Sequence, residues 1–558
     1  MSCIVPRRFL AGPARELGSG VLVVSFVLPA LLLAAGTPAF GEPTKTLRPD
    51  GVERVAPWVP SADDVTIDAK ALAEFAAPHH YLFDKATVAK IKERARVSPD
   101  VPRGQILRDL ETADPAKNGP DKVLGVDVRF DGLNIVTSAY LGLLFLPPDT
   151  IVAAGRNQVL EATNVALRLT DREGGAEIVT PLNAFFGIRY PAVLFDPRVF
   201  YDRQSNRFFI AAVSVTDSPR TSHFYLAVAR RRNPQSLSAP QDWCTYRLSA
   251  KRGASWADYP SLGMNERWLA VSVNNFKFSG GFRGVFLHAL DKETLIDNED
   301  SCPTVSATRY LLPTDAEGEL AFTVVPAQHY TPTLLDGSPL VLVSTQITSA
   351  SRRYSIWRLE DGGVSVETLV ADQVYDWPPQ AENRGEIEFD TGDTRIMQAA
   401  YRDGHLWAAH ATACNFSDGL NESCVRLVEF ALTDTGSTIA QVTTAGGGEG
   451  WYFWMPGVAV NGSGDAVVPY QRTRAGRNLE FGFSGLPAGE TELDGTQRLV
   501  KGRCQLVDFD GSRNRTGDYV GIQTDPADDH GFWIAGETSV ELPGLGCDWR
   551  TTVARVSY

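Results

Sequence analysis

Between Asp149 and Ala535 the chain repeats one strand-turn-strand unit, and this repetition restricts the available folds more than any other feature. The clearest copies are Asp196-Pro-Arg-Val-Phe-Tyr-Asp202, a turn, then Phe208-Phe-Ile-Ala-Ala-Val213, and Asp258-Tyr-Pro-Ser-Leu-Gly-Met-Asn265, a turn, then Trp268-Leu-Ala-Val-Ser-Val273. In both, a proline (Pro197, Pro260) stands five positions before the Asp or Asn that opens the turn. Its fixed φ and missing N–H suit a strand start. The template also fits 149–163, 330–344, 395–410, 455–470 and 518–535, which makes seven copies with turns near 155, 202, 265, 336, 402, 461 and 525. The spacing leaves room for a second strand pair in each interval, so each copy reads as the inner half of a four-stranded blade. It is too long and uneven for a linear solenoid. The expected fold is all-β, a single β-propeller with seven blades, six and eight being the neighbouring counts.

The cysteines support the register. Cys244 lies fourteen residues before Asp258, and Cys504 lies fourteen before Asp518. The shared offset points to two equivalent bridges within blades, Cys244–Cys302 and Cys504–Cys547, with Cys414–Cys424 stapling the hairpin after the fifth copy. No C-x-x-C pair occurs, so disulfides are expected and a metal site is not. An open fan of blades would leave two sheet edges unpaired. The run 551–558 is expected to prevent this by sharing a sheet with 135–145. The propeller is placed at 126–558, preceded by an extension over 42–125 that is Pro-rich at first and helical around 69–76 and 85–97.

Residues 1–41 read as an export signal: Arg7, Arg8 and Arg15 precede an apolar run over 21–35, and Ala39-Phe40-Gly41 offers a small-residue cleavage site. Arg7-Arg8-Phe9-Leu10 lacks the spacer of a twin-arginine signal, so Sec export to a secreted or periplasmic destination is expected. Later segments are too short or too polar to span a bilayer, so the mature chain is expected to carry no membrane span. A formal net charge of −14 excludes a phosphate-backbone partner and hence nucleic acid. A monomer is expected.

The string Gly517-Asp518-Tyr519, followed by Asp525-Pro526, Asp528 and Phe532-Trp533, together with Asp196-Pro197 and Asp258-Tyr259-Pro260, resembles exported bacterial proteins with sialidase-like or BNR-like β-propellers. The resemblance runs from about residue 149 to the C-terminus. It implies the fold, and no general activity goes with it. No turn carries the S-x-D-x-G-x-x-W Asp box of sialidases.

A propeller gathers the starts of its inner strands at one mouth of a central channel. Template alignment places Asp196, Asp258, Arg395 and Asp518 there, with Tyr259 and Tyr519 beside them. Such a set can bind a sugar by hydrogen bonding and stacking, bind a cation, or supply the paired acids of glycoside cleavage. The competing reading is that these Asp side chains cap backbone turns. The loop 376–385 carries Trp377, Glu382 and Arg384, which can cover the mouth or form a rigid Pro-Pro connector. Asp525, Asp528 and Asp529 resemble a calcium loop without its Asp-x-Asp-x-Asp-Gly order. A structural calcium is thus the one cofactor considered, and none is expected. No G-x-S-x-G elbow, H-E-x-x-H or P-loop occurs. The expected function is a binding or scaffold module for a carbohydrate, a peptide or a partner protein rather than an enzyme. The alternative is a glycan-active hydrolase or lyase working through the carboxylates of the mouth.

Overall fold

The computed structural model describes residues 45–59 and 124–558, apart from 141–144, 165, 190–191, 218, 417–418, 420, 508–513 and 543–545. The leader expected over 1–41 and the helices expected at 69–76 and 85–97 lie outside the described residues. Among the described residues no helix is long and apolar enough to cross a membrane.

The apolar runs of the repeat form strands buried on both faces. In Arg207–Asp217, for example, Phe208 through Val213 are all fully buried. Burial on both sides explains why these stretches read as continuous hydrophobic runs without polar alternation. Successive strands pair as antiparallel meanders, and the sheets pack face to face. Leu160 and Leu167 from one sheet, with Phe186 of the helix Leu182–Phe186 that follows it, meet Tyr201, Phe208 and Trp243 of the next. Val341, Tyr354 and Ile356 meet Ala399, Tyr401 and Phe430 in the same way.

The innermost strands follow one another in a closed ring: Ile151–Ala154, Val193–Asp202, Ser255–Met264, Val325–Pro326, Ile396–Arg402, Ala459–Val460, Gly521–Thr524, and back to the first. This is a β-propeller arrangement. Its hydrogen-bonded sheets differ from the expected seven equal blades. Five are separate blade-sized sheets, over 151–181, 193–249, 325–376, 452–501 and 521–557, two of them enlarged by strands from the N-terminal side. The sixth has ten strands, because Gln328–His329 pairs in parallel with both Met264 and Ala400–Tyr401 and fuses the meanders of 255–312 and 396–445. Gly263 permits the approach, since a Cβ there would strike the carbonyls of Pro326 and Ala327. For the same reason the fourth inner strand lies at 325–329 and not at 330–335, where the template places it.

Two further expectations are corrected. Pro197 and Pro260 lie within inner strands, not at their starts, and each marks a β-bulge where the register shifts between Phe195 and Arg198 or between Asp258 and Ser261. A bulge leaves a residue unpaired, and so accommodates the missing N–H. The three expected disulfides are present. Cys414–Cys424 links paired strands as expected. Cys244–Cys302 and Cys504–Cys547, however, each join one sheet to the next, because each ties a strand of one sheet to the segment flanking an outer strand of its neighbour.

The ring closes on Gly125–Asn134, which pairs antiparallel with Gly546–Ser557 as the outer strand of the last sheet. The expected partner, 135–145, instead begins as a helix over Ile135–Tyr140, with the Asn134 side-chain Oδ1 accepting the Thr137 N–H at 3.0 Å. Part of the N-terminal extension is a strap. Lys45–Leu47 adds to the outer edge of 325–376, Gly51–Val55 adds to Val305–Leu312, and Trp58 fastens onto a third sheet at Thr245.

Candidate functional site at the channel mouth

Entry into the inner strands goes through a left-handed residue, a conformation rare outside glycine. Asp149, Asp196, Tyr259, Thr323 and Met455 have φ between 48° and 51°. This repeated bend aims the adjoining side chains at the axis.

Asp196, Asp258, Tyr259, Arg395, Asp518 and Tyr519, spread over more than 300 residues of sequence, meet there. The Asp196 carboxylate accepts the Tyr259 N–H at 3.0 Å, and the Tyr259 hydroxyl reaches the Asp518 carbonyl at 3.4 Å. The tyrosine rings pack edge to face at 6.1 Å. Arg395 lies 4.7 Å from the Tyr259 ring, with its guanidinium held twice by Asp393 at 2.7 and 2.6 Å.

Four further participants lie outside the six residues expected at the mouth. Asp149 accepts the Asp518 N–H at 2.7 Å and a bond from Asn164 Nδ2 at 2.6 Å, while Asn164 Oδ1 accepts the Asp196 N–H at 2.7 Å. Arg515 pairs with Asp518. Arg198 stacks 3.5 Å over the Tyr519 ring, lies 5.0 Å from Tyr259, and donates from Nε to the Pro260 carbonyl at 2.7 Å. Thus Asp149 and Asp196 do cap backbone, but that of the neighbouring unit, and the chain of bonds stitches the mouth together.

Burial leaves several polar atoms around this mouth without a hydrogen-bond partner among the described residues, among them Arg198 Nη2, Asp518 Oδ2 and both carboxylate oxygens of Glu537 beside Asp149 and Arg515. Burial also dominates the titration of the acids. It pushes Asp196 up to about 8, helped by the charges of Asp258 and Asp518 and opposed by Arg198. It pushes Asp258 up to about 7, helped by Asp518 and opposed by Arg395 and Arg515. Asp149 is raised by burial and then by Asp518 and Asp196, and Tyr259 is pushed up to about 12 by burial. Asp518 and Arg515 stand at the rim, with side chains about one-tenth exposed. Below them the channel is filled by bonds across the axis, Gln523 to both backbone groups of Tyr201 and Gln398 to Gln328 and the Ile522 carbonyl.

The loop after Asp376 divides. Trp377 packs against the core, whereas Glu382 and Arg384 are exposed. The return limb reaches the rim, where the Asp390 N–H donates to the Asn514 carbonyl at 2.9 Å. On the opposite face, Asp525 bonds Arg172 and Arg555, Asp528 bonds Arg555, and Asp529 bonds Arg203 and Arg402. These carboxylates are occupied: Asp525 and Asp529 clasp the last sheet to others through Arg172, Arg203 and Arg402, and Arg555 ties Asp525 and Asp528 within it.

Fold and site together define a disulfide-linked β-propeller with an acidic, arginine-braced mouth. No family model matches the chain, and no curated protein matches it. Several solved structures are similar to it. The Dos1 propeller aligns over 78% of this chain and 95% of that one at 11% identity, with a TM-score of 0.33. Trypanosoma rangeli sialidase in complex with the inhibitor DANA aligns over 69% of this chain and 57% of that one at 10% identity, TM-score 0.29. The α-L-arabinofuranosidase from Lactobacillus brevis aligns over 66% and 93% at 8% identity, TM-score 0.28. At these scores the fold rests on the strand pairings themselves.

Proposed function

We propose that the protein is an exported binding propeller whose mouth takes a hydroxyl-rich ligand, a carbohydrate. The observation that carries this reading is the pair of unpartnered atoms, Arg198 Nη2 and Asp518 Oδ2, beside two tyrosines. A buried polar group without a partner costs about 1–3 kcal/mol, and sugar hydroxyls, which donate and accept at once, would relieve it. Export is supported by three disulfides, bonds that persist in oxidising compartments.

Binding is favoured over catalysis because Asp149 and Asp196 are committed to the backbone of their neighbours. The hydrolase reading draws on Asp258, whose carboxyl, pushed up to about 7, has the titration range of a general acid. A glycan array followed by calorimetry tests both. Retention of a glycan that Asp518→Asn weakens about tenfold or more is the expected result. An array without signal, or an affinity indifferent to Asp518→Asn, removes the binding reading. Turnover of the retained glycan that disappears in Asp258→Asn would replace it with the enzyme.

A further inference from the structure

A groove of about 320 Å3 opens on the face opposite the mouth, between the sheets of 396–445 and 452–501 and beside the turns of their inner hairpins. It is independent of the mouth and of the function proposed for it. Trp407, 7% exposed, contributes an aromatic surface, and Arg402, His405, Glu429, Gln441, Asp403 and Glu490 contribute polar ones.

The charges are unequally engaged. Arg402 is the only Lys or Arg in the lining. Its Nη1 and Nη2 hold Asp529 at 3.1 and 2.7 Å and its Nε holds the Val460 carbonyl at 3.0 Å. His405 lies 2.6 Å from Glu429. Asp403 and Glu490 are exposed, and among the described residues neither carboxylate has a hydrogen-bond or ion-pair partner. Both are held by their backbones. Asp403 sits at φ 50° with its N–H on Thr331 Oγ1 at 2.9 Å, and the Glu490 N–H donates to the Pro487 carbonyl at 3.0 Å. Two anchored, unpaired carboxylates therefore face a cleft in which the one guanidinium is already satisfied.

We propose that this groove binds a small organic cation, an alkylammonium or guanidinium group. Carboxylates only accept hydrogen bonds, and such a cation only donates. Asp403 and Glu490 supply the acceptors, and the Trp407 ring supplies a cation–π surface. The volume lies at the lower end of ligand pockets, which fits one such group and not an extended chain. The group can arrive as a free solute or as a lysine or arginine side chain.

The full-length protein is titrated calorimetrically with n-butylammonium and ethylguanidinium chlorides, with a blocked Gly-Lys-Gly peptide, and with the neutral analogues n-butanol and blocked Gly-Gln-Gly. Saturable binding of the cations but not of the neutral compounds is expected, weaker in high salt and weakened about three- to tenfold in Asp403→Asn/Glu490→Gln. Binding of the free cations alone identifies a solute site, and binding of the peptide as well identifies a side-chain site. Both outcomes support the proposal. It is overturned if no cation binds saturably, if the neutral analogues bind equally, or if the double variant, with an unchanged melting temperature, binds undiminished. The comparison with neutral compounds uses the unmodified protein and stands even if the variant misfolds.

Discussion

Asp196 and Asp258 give the mouth its polarity and make the fold sensitive to pH. Burial first, and neighbouring aspartate charge second, raise them from 3.8 to about 8 and about 7. Over that interval the folded chain keeps protons that the unfolded chain has released. The contribution is therefore complete below about pH 4 and is lost as pH rises through 7 and 8, at about 1.4 kcal/mol per pH unit for each proton held only in the folded state. Asp196→Asn keeps a carbonyl oxygen for the Tyr259 N–H without the ionisable proton. Its melting temperature should match the parent near pH 4 and exceed it at pH 8.5; parallel pH profiles for the two proteins would show that Asp196 does not titrate in this window. Six mouth residues are legible in the sequence because a shared template position becomes a shared place around an axis. Asp149 stands six residues before its turn at 155, as Asp196 does before 202, and was legible by the same rule. Arg198 was legible from the Asp-Pro-Arg string. Arg515 and Asn164 were not, since they arrive on loops whose course is set by packing with no repeated pattern.

Among the elements, the strap over 45–59 is the part least expected from its composition. It covers the outer edges of two sheets that would otherwise present unpaired N–H and C=O groups. Trp58 is its anchor. The indole N–H donates to the Phe186 carbonyl at 2.8 Å, the backbone N–H donates to the Thr245 carbonyl at 2.6 Å, and Arg247 lies 3.9 Å over the ring. Trp58→Ala removes the ring and its hydrogen bond, a loss of about 1–3 kcal/mol from local rather than global stability. Hydrogen exchange read by mass spectrometry should show faster exchange at 51–55 and unchanged protection in the inner strand 255–264. Unaltered exchange at 51–55 would mean that the β-pairing with Val305–Leu312 suffices without the anchor. Propensity and periodicity read the hairpins well, because each is a local contest between strand and turn. They could not read the strap, the bulges or the inter-sheet course of two of the disulfides, which depend on which edges the ring brings side by side.

At the scale of the whole molecule, stability depends on closure, because a ring with one loose seam is an open stack with two edges. Two features act at the seam between first and last units. Gly521 lets its inner strand approach the backbone of Ile151 and Val152, where a Cβ would collide. The strand Gly125–Asn134 then completes the sheet formed by the C-terminal end, so residues more than 400 positions apart are paired, Val128 with Arg555 and Phe130 with Val553. Val128 and Phe130, two positions apart and so on one face of the strand, pack against Val152, Val159 and Trp533. Carboxylates at both sites would have to be desolvated against this apolar cluster for the strand to pair, at a cost of about 2–4 kcal/mol. Val128→Asp/Phe130→Asp should therefore lower the urea midpoint and, by freeing the edge of Gly546–Ser557, produce concentration-dependent self-association on size-exclusion chromatography. An unshifted midpoint with an unchanged elution volume would show that the ring is held shut elsewhere, by the close approach of Gly521 to Ile151 and Val152 and the Arg172 clasp to Asp525 on the opposite face.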